Sequence, residues 1–248
     1  DADTVDRVVV MGDLHGDLGS LHKGLEYWNN RGVLVLLGDY ADRGPHGVEV
    51  IETLLDLAER HPDQIVALKG NHEDYTPEGE PLFSPCTLIG EAAQKRGSWP
   101  AFFSTMQRLF ERLALSALLP GASLFVHGGV CRELDSLQVL EEPGERETRE
   151  LLWSDPGHEP GAYPSLRGAG SLFGPDVTAQ VLEALGAGSI IRSHQPIKAL
   201  HGPAVEHGGR VITVSTTQVY GGLPFILELD PSRYPSDEHS FQESAVFL

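Results

Sequence analysis

A chain of 248 residues with 40 % apolar and 22 % charged residues has a globular composition, and its length suits one α/β domain spanning 1–248. Its net charge of −18, from 18 basic and 36 acidic residues, opposes the basic footprint of nucleic-acid binders and calls for local cations wherever an anionic substrate docks. No apolar run approaches the ~20 residues of a membrane span and no basic start leads into an apolar stretch, so no membrane partner and a cytoplasmic location are expected, although the lack of an initiator Met suits a trimmed or processed N-terminus.

Taken in order, the chain first reads as strand, loop and helix repeated. Arg7–Met11 is a predicted strand, and Asp17–Asn29 is a helix with Leu18, Leu21 and Leu25 on one face. Val33–Leu37 is the second strand, residues 46–60 the second helix and Ile65–Leu68 the third strand, a pattern that suggests βαβ units and a largely parallel sheet. Residues 76–85 are rich in Pro and Gly and read as loop. A helix is expected over 100–118, with Phe102, Met106, Leu109, Leu113 and Ala117 as its core stripe. "SLFVHGG" (123–129) is strand then glycines, "EEPGERETRE" (141–150) is a solvated charge cluster, and "SDPGHEPGAYPS" (154–165) holds too much Pro and Gly for regular structure. A helix near 176–186, "SIIRSHQ" (189–195) and strands near 210–215 and 223–229 complete the pattern. Cys86 and Cys131 are too few for a disulfide framework and read as free thiols.

Polar residues recur just past the apolar runs: Asp13 and His15, then Asp39, Asp42 and Arg43, then Asn71 and His72, then His127, then His194. The carboxyl ends of strands in an open α/β sheet face one crevice, so these residues can converge. Carboxylate, imidazole and amide oxygens suit Mn, Fe or Zn, and the set lacks the thiolates of a structural zinc site. Asp13, His15, Asp39, Asn71, His127 and His194 are too many for one ion and would serve two, with one carboxylate bridging. Paired metals are a known solution for phosphate-ester hydrolysis. The remaining histidines lack such a context and read as surface or loop residues.

"GDLHG" (12–16), "GDYADRG" (38–44), "GNHE" (70–73), "HGG" (127–129), "LLWSDP" (151–156), "RGAGSLFG" (167–174), "RSHQ" (192–195) and "VYGG" (219–222) together resemble the phosphoprotein phosphatase family of metallophosphoesterases. The resemblance implies a calcineurin-like α/β fold, with a central β-sandwich flanked by helices and the active site at the C-terminal ends of the strands. It implies that Asp13 and His15 hold one divalent ion, that Asn71, His127 and His194 hold the other, and that Asp39 bridges them. Mn²⁺ is the ion expected in vitro, with Fe or Zn as alternatives. Arg43 and Arg167 would bind phosphate oxygens beside Tyr220, and His72, oriented by Asp42, would protonate the leaving alkoxide. The implied activity is that of a serine/threonine protein phosphatase, in which metal-activated water attacks phosphorus in line and in one step.

The chain departs from the usual eukaryotic pattern at "HGGVCRE" (127–133), at "STTQVY" (215–220) and over 76–85, without loss of a ligand. These departures speak against regulatory-subunit contacts, and the compact chain without an obvious regulatory tail looks like a bacterial-type member. The rival readings are a dinucleoside polyphosphate hydrolase or another small-molecule phosphatase or phosphodiesterase of the superfamily, and a catalytically dead binding module. "LLWSDP" and "VYGG" favour a phosphorylated protein or peptide as substrate. The intact ligand set and the His72–Asp42 pair speak against a dead module.

Overall fold

The computed structural model describes residues 5–248, so the first four residues of the expected domain lie outside it. The chain begins β1 (Val8–Met11), α1 (Leu18–Trp28), β2 (Val33–Leu36), α2 (Gly47–Arg60), β3 (Ile65–Ala67), α3 (Leu88–Arg96) and α4 (Trp99–Phe110). It continues β4 (Ser116–Leu119), β5 (Ser123–Val126), α5 (Leu137–Glu141), α6 (Glu145–Trp153), β6 (Asp155–Pro156), β7 (Ala162–Pro164) and β8 (Ser171–Phe173). It ends α7 (Pro175–Leu185), β9 (Ser189–Arg192), β10 (Ala204–Glu206), β11 (Val211–Thr213), β12 (Phe225–Leu229), α8 (Glu238–Glu243) and β13 (Ala245–Phe247).

Two five-stranded sheets, ordered β13-β12-β1-β2-β3 and β10-β11-β9-β5-β4, form the centre, with a small sheet β6-β8-β7 beside them. β1, β2 and β3 run parallel, as do β5, β9 and β11. Antiparallel pairings extend both sheets. Strand alternation explains how they stack. Val8 and Val10 of β1 join Val35, Phe125, Ile191 and Ile212 in one buried cluster between the sheets. Val9 and Met11 turn the other way, onto Leu21 of α1, Ile51 and Leu54 of α2 and Met106 of α4. On the outer face of the second sheet, Leu124, Val126 and Ile190 pack on Val177 and Val181 of α7. Both faces of the inner strands are thus covered, which is why they read as unbroken apolar runs. Each such side chain contributes about 1.5–3 kcal/mol by leaving water. The β-sandwich with flanking helices is the fold that the family resemblance implies.

Three local expectations need correction. The predicted helix over 100–118 ends at Phe110, because Ala114 bonds both ways with the strand end at Ala67 and Lys69, and Ser116–Leu119 then pairs with β5 as a strand. The charge cluster at 141–150 is not merely solvated surface: from Glu145 onward it is α6, and its Glu150 is buried as an acceptor for Ser154 and Ser171. The Pro- and Gly-rich 154–165 stretch supplies β6 and β7 of the small sheet. Among the described residues no helix is long and apolar enough to cross a membrane.

Candidate metal centre

The parallel strands all end at one edge of the sandwich, and the loops that leave β1, β2, β3, β5 and β9 meet there. Contact between them is close enough to require glycine. Gly38 sits at φ +99, and a Cβ there would run into the backbone of Gly70, while a Cβ on Gly70 would strike Asp39. The loops after β2 and β3 therefore touch directly. His15, Asp39, Asp42, Arg43 and His194 all adopt left-handed backbone with φ between 47 and 70. For residues other than glycine that costs about 1–2 kcal/mol each, and such strain gathers at functional sites.

The side chains so placed form a knot of lone pairs. His15 donates from Nδ1 to the Ala41 carbonyl at 3.0 Å, which leaves Nε2 bare and facing Asp39 Oδ2 at 3.6 Å and Asp13 Oδ2 at 3.8 Å. His127 donates from Nδ1 to the Leu37 carbonyl at 2.8 Å. Its Nε2 then faces Asn71 Oδ1 at 3.0 Å, His194 Nδ1 at 3.2 Å and Asp39 Oδ1 at 3.3 Å. His194 Nδ1 is 2.8 Å from the same Asn71 oxygen. Fixing one ring nitrogen on a carbonyl so that the other is bare is how proteins orient imidazole ligands.

Electrostatics point the same way. Burial pulls His15 down to about 3 and His127 to about 4, and holds His194 well below the ordinary imidazole value. All three rings are therefore neutral, the form that binds metal. Burial, reinforced by the charges of Asp13 and Glu73 and only partly offset by His72, pushes Asp39 well above the carboxylate range. Asp13 Oδ2 and His194 Nε2 are buried without a hydrogen-bond partner among the described residues. An unpartnered carboxyl oxygen among neutral imidazoles and carbonyl-type oxygens is a site that cations would satisfy. The residues fit a pair of divalent ions, with the two oxygens of Asp39 facing the two halves of the knot.

His72 lies close enough to His15 and Asp39 to be counted a ligand by distance alone. Its chemistry differs. Nδ1 is 2.8 Å from Asp42 Oδ2. Burial works against its charge, but Asp39 and Asp42 prevail and hold it up to about 9, so the ring is a proton donor at neutral pH. Asp42 is itself fixed at Oδ1 by the amides of Thr87 and Leu88 at 2.5 and 2.8 Å. Burial would raise its pKa, but the hydrogen bond and charge of His72 hold it below the ordinary range.

A cavity of about 450 Å³ opens onto these groups and is lined by His15, Asp39, Arg43, Asn71, His72, Arg167, His194 and Tyr220, among others. Asp13, Asp42 and His127 stand buried behind it. The structure thus brings together all eleven residues expected from the sequence. Burial pushes the Tyr220 hydroxyl up to about 12, so it remains a donor, with its ring 5.5 Å from that of His15.

Some contributors were not anticipated. Glu73 is buried beneath the loops, and accepts from the amides of Asp39 at 2.8 Å, Tyr40 at 2.9 Å and Gly70 at 2.9 Å. Ser193 bonds both the amide and the carboxylate of Asp13. Asp155 accepts from Arg167 Nε at 2.7 Å and from Arg192 at 2.9 Å. Arg192 is fully buried, and its five N–H groups reach Gly128, Gln195, Thr213, Ser154 and Asp155. "GNHE", "LLWSDP" and "RSHQ" contain these residues, and charged groups inside otherwise greasy or glycine-bound strings were the available signal.

Residues 6–198 match the calcineurin-like phosphoesterase family. The chain belongs to that family. Two relatives of this phosphoesterase are serine/threonine-protein phosphatase T of Aspergillus oryzae, 33 % identical over 227 residues, and serine/threonine-protein phosphatase 5 of Homo sapiens, 34 % identical over 227 residues. The alignments cover 86 % and 87 % of this chain but 46 % and 44 % of those relatives, so the phosphoesterase spans about half their length. A solved protein serine/threonine phosphatase from Saccharomyces cerevisiae superposes with a TM-score of 0.80 at 25 % identity, covering 99 % of this chain and 80 % of that one. These likenesses agree with the phosphoprotein phosphatase resemblance of the sequence motifs, and membership of the phosphoesterase family implies divalent metal ions.

Proposed function

We propose that this chain is a single metal-dependent catalytic domain that hydrolyses phosphoserine and phosphothreonine in proteins. The observation that carries the reading is the buried knot around Asp39, bordered by a proton-donating His72 and by a cavity lined with Arg43 and Arg167. Asp13 and His15 would hold one divalent ion, Asn71, His127 and His194 the other, and Asp39 both. Such a pair supplies Lewis acidity and makes water nucleophilic at neutral pH. Mn²⁺ is the expected ion in vitro, with Fe or Zn as alternatives.

The chain's own groups account for the remaining steps. Arg43 and Arg167 offer planar forks to the phosphoryl oxygens, and Arg167 is pre-aimed by its bond to Asp155. Tyr220 donates beside them. A seryl or threonyl alkoxide is a poor leaving group, so His72 Nε2–H is placed to protonate it while Asp42 keeps Nδ1–H fixed. The site lies on a strongly acidic chain, and the two arginines and the cations together offset that repulsion. A cytoplasmic, bacterial-type enzyme without an obvious regulatory subunit remains our reading of the sequence; the relatives named above are eukaryotic.

A substrate panel tests the function. Phosphoseryl and phosphothreonyl peptides should be turned over with added Mn²⁺, and chelation should abolish the activity until metal is restored. A clear preference for a dinucleoside tetraphosphate would overturn the assignment in favour of a nucleotide hydrolase. Arg43→Ala and Arg167→Ala should each raise KM and lower kcat by roughly 10-fold to 10³-fold in kcat/KM, since fixed donors act most on the transition state. Unchanged kinetics at either position would remove that residue from the phosphate clamp.

A further inference from the structure

The catalytic cavity opens sideways into a larger groove of about 1070 Å³, and Ser84, Trp153 and Arg167 line both. One wall of the groove is a face of α6, where Glu145, Arg149, Leu152 and Trp153 recur at helical spacing. The opposite wall carries Leu82, which is 60 % exposed.

The charges in this groove are unequal. Asp74 is paired with Lys69 at 2.6 Å, and Arg167 with Asp155 at 2.7 Å. Arg146, elsewhere on α6, pairs with Glu133 at 2.8 Å. Arg149 is exposed and makes no ion pair among the described residues. On a chain of net charge −18, Arg149 is thus the guanidinium of this groove left free to meet an anion, beside a catalytic cavity with which the groove shares three lining residues.

We infer that this groove receives the substrate polypeptide and that Arg149 selects an acidic residue near the phosphorylated one, an inference that rests on the protein-phosphatase reading above. Arg149 stands four residues, about 6 Å along the helix, beyond Trp153, and an extended peptide advances about 3.3 Å per residue, so the acidic residue falls about two positions beyond the one that passes Trp153. Glu145, a further turn out, opposes acidic residues beyond that point. Preference is therefore confined to a short window.

The test is kcat/KM on phosphothreonyl peptides in which a single Glu, Ala or Lys is moved one position at a time along both sides of the phosphothreonine. The expected result is an about fivefold preference for Glu over Ala within that window, the size of one partly exposed ion pair, shrinking at high salt. Arg149→Ala should bring the ratio to about one, and Arg149→Glu should turn it toward Lys. Each ratio compares peptides on one preparation, so a partly unfolded variant does not distort it. Equal rates on Glu and Ala peptides, or a Glu preference that survives Arg149→Glu, overturn the inference and leave the phosphatase reading standing. Turnover of p-nitrophenyl phosphate without turnover of any peptide overturns both.

Discussion

Asp39→Asn is expected to lower cation-dependent turnover by roughly 10²-fold or more while raising the melting temperature of the cation-free protein. Loss of outer groups around a metal already costs about 10–100-fold, and Asp39 would be shared by both ions, so the larger end is the floor. Its Oδ1 lies 3.3 Å from His127 Nε2 and its Oδ2 3.6 Å from His15 Nε2, so an amide would offer one half a weaker ligand and remove charge from both. Stability should move the other way. A carboxyl whose folded pKa lies above its unfolded value loses folded-state stability as pH rises from the ordinary carboxylate range through the folded value. Asp39 is shifted in that direction by burial, so its ionised form is unfavourable at neutral pH, and Asn removes the cost. Asn also tolerates the φ of 54 at this position and can still accept the His72 amide. Melting curves with and without Mn²⁺ decide the matter: the gap between them should be large for the wild type and close to nil for Asp39→Asn. A variant stabilised by Mn²⁺ as strongly as the wild type would mean that Asp39 is not a shared ligand.

His72→Asn is expected to lower kcat by roughly 10²–10³-fold on phosphoseryl peptides and by less than about tenfold on p-nitrophenyl phosphate. The nitrophenolate leaves without a proton, whereas the seryl oxygen does not. The pH profile gives a second readout. The acid form of His72 is the working form and Asp42 favours it, so the peptide rate should show an alkaline limb, falling as His72 loses its proton. Asp42→Asn removes one of the charges that support the imidazolium and should move this alkaline limb to lower pH. Equal losses on both substrates, or a limb that ignores Asp42, would make His72 a structural residue only.

The strand ends were legible because each apolar run stops at a polar residue whose type has few other uses, as at Met11–Asp13 and Leu37–Asp39. The overrun of the fourth helix was not avoidable from spacing. Leu113 and Ala117 continue the helical spacing of Phe102, Met106 and Leu109, and only the sheet edge offered by Ala67 and Leu124 settles the matter in favour of a strand. The second sheet was half-seen: "SLFVHGG" and "SIIRSHQ" marked β5 and β9, but β10 is a three-residue strand that takes its form from pairing with β11, as β13 of the first sheet does from pairing with β12. The ligands were readable as a list. The groups that hold them, Glu73, Asp155 and Arg192, were present in the quoted motifs, but their roles depend on which amides and guanidiniums the fold brings to them.

Arg192 gives that point a mechanical form. One planar cation, sealed from solvent, ties together the carbonyl beyond His127, the strand that carries Asp155, and Gln195 next to His194. A lysine has three donors on a flexible stem and could not replace it. Imidazoles from two separate strands and the aim of Arg167 therefore stand or fall as one block, and transplanting any one of these loops into another scaffold without the guanidinium would carry over the residues but not their alignment.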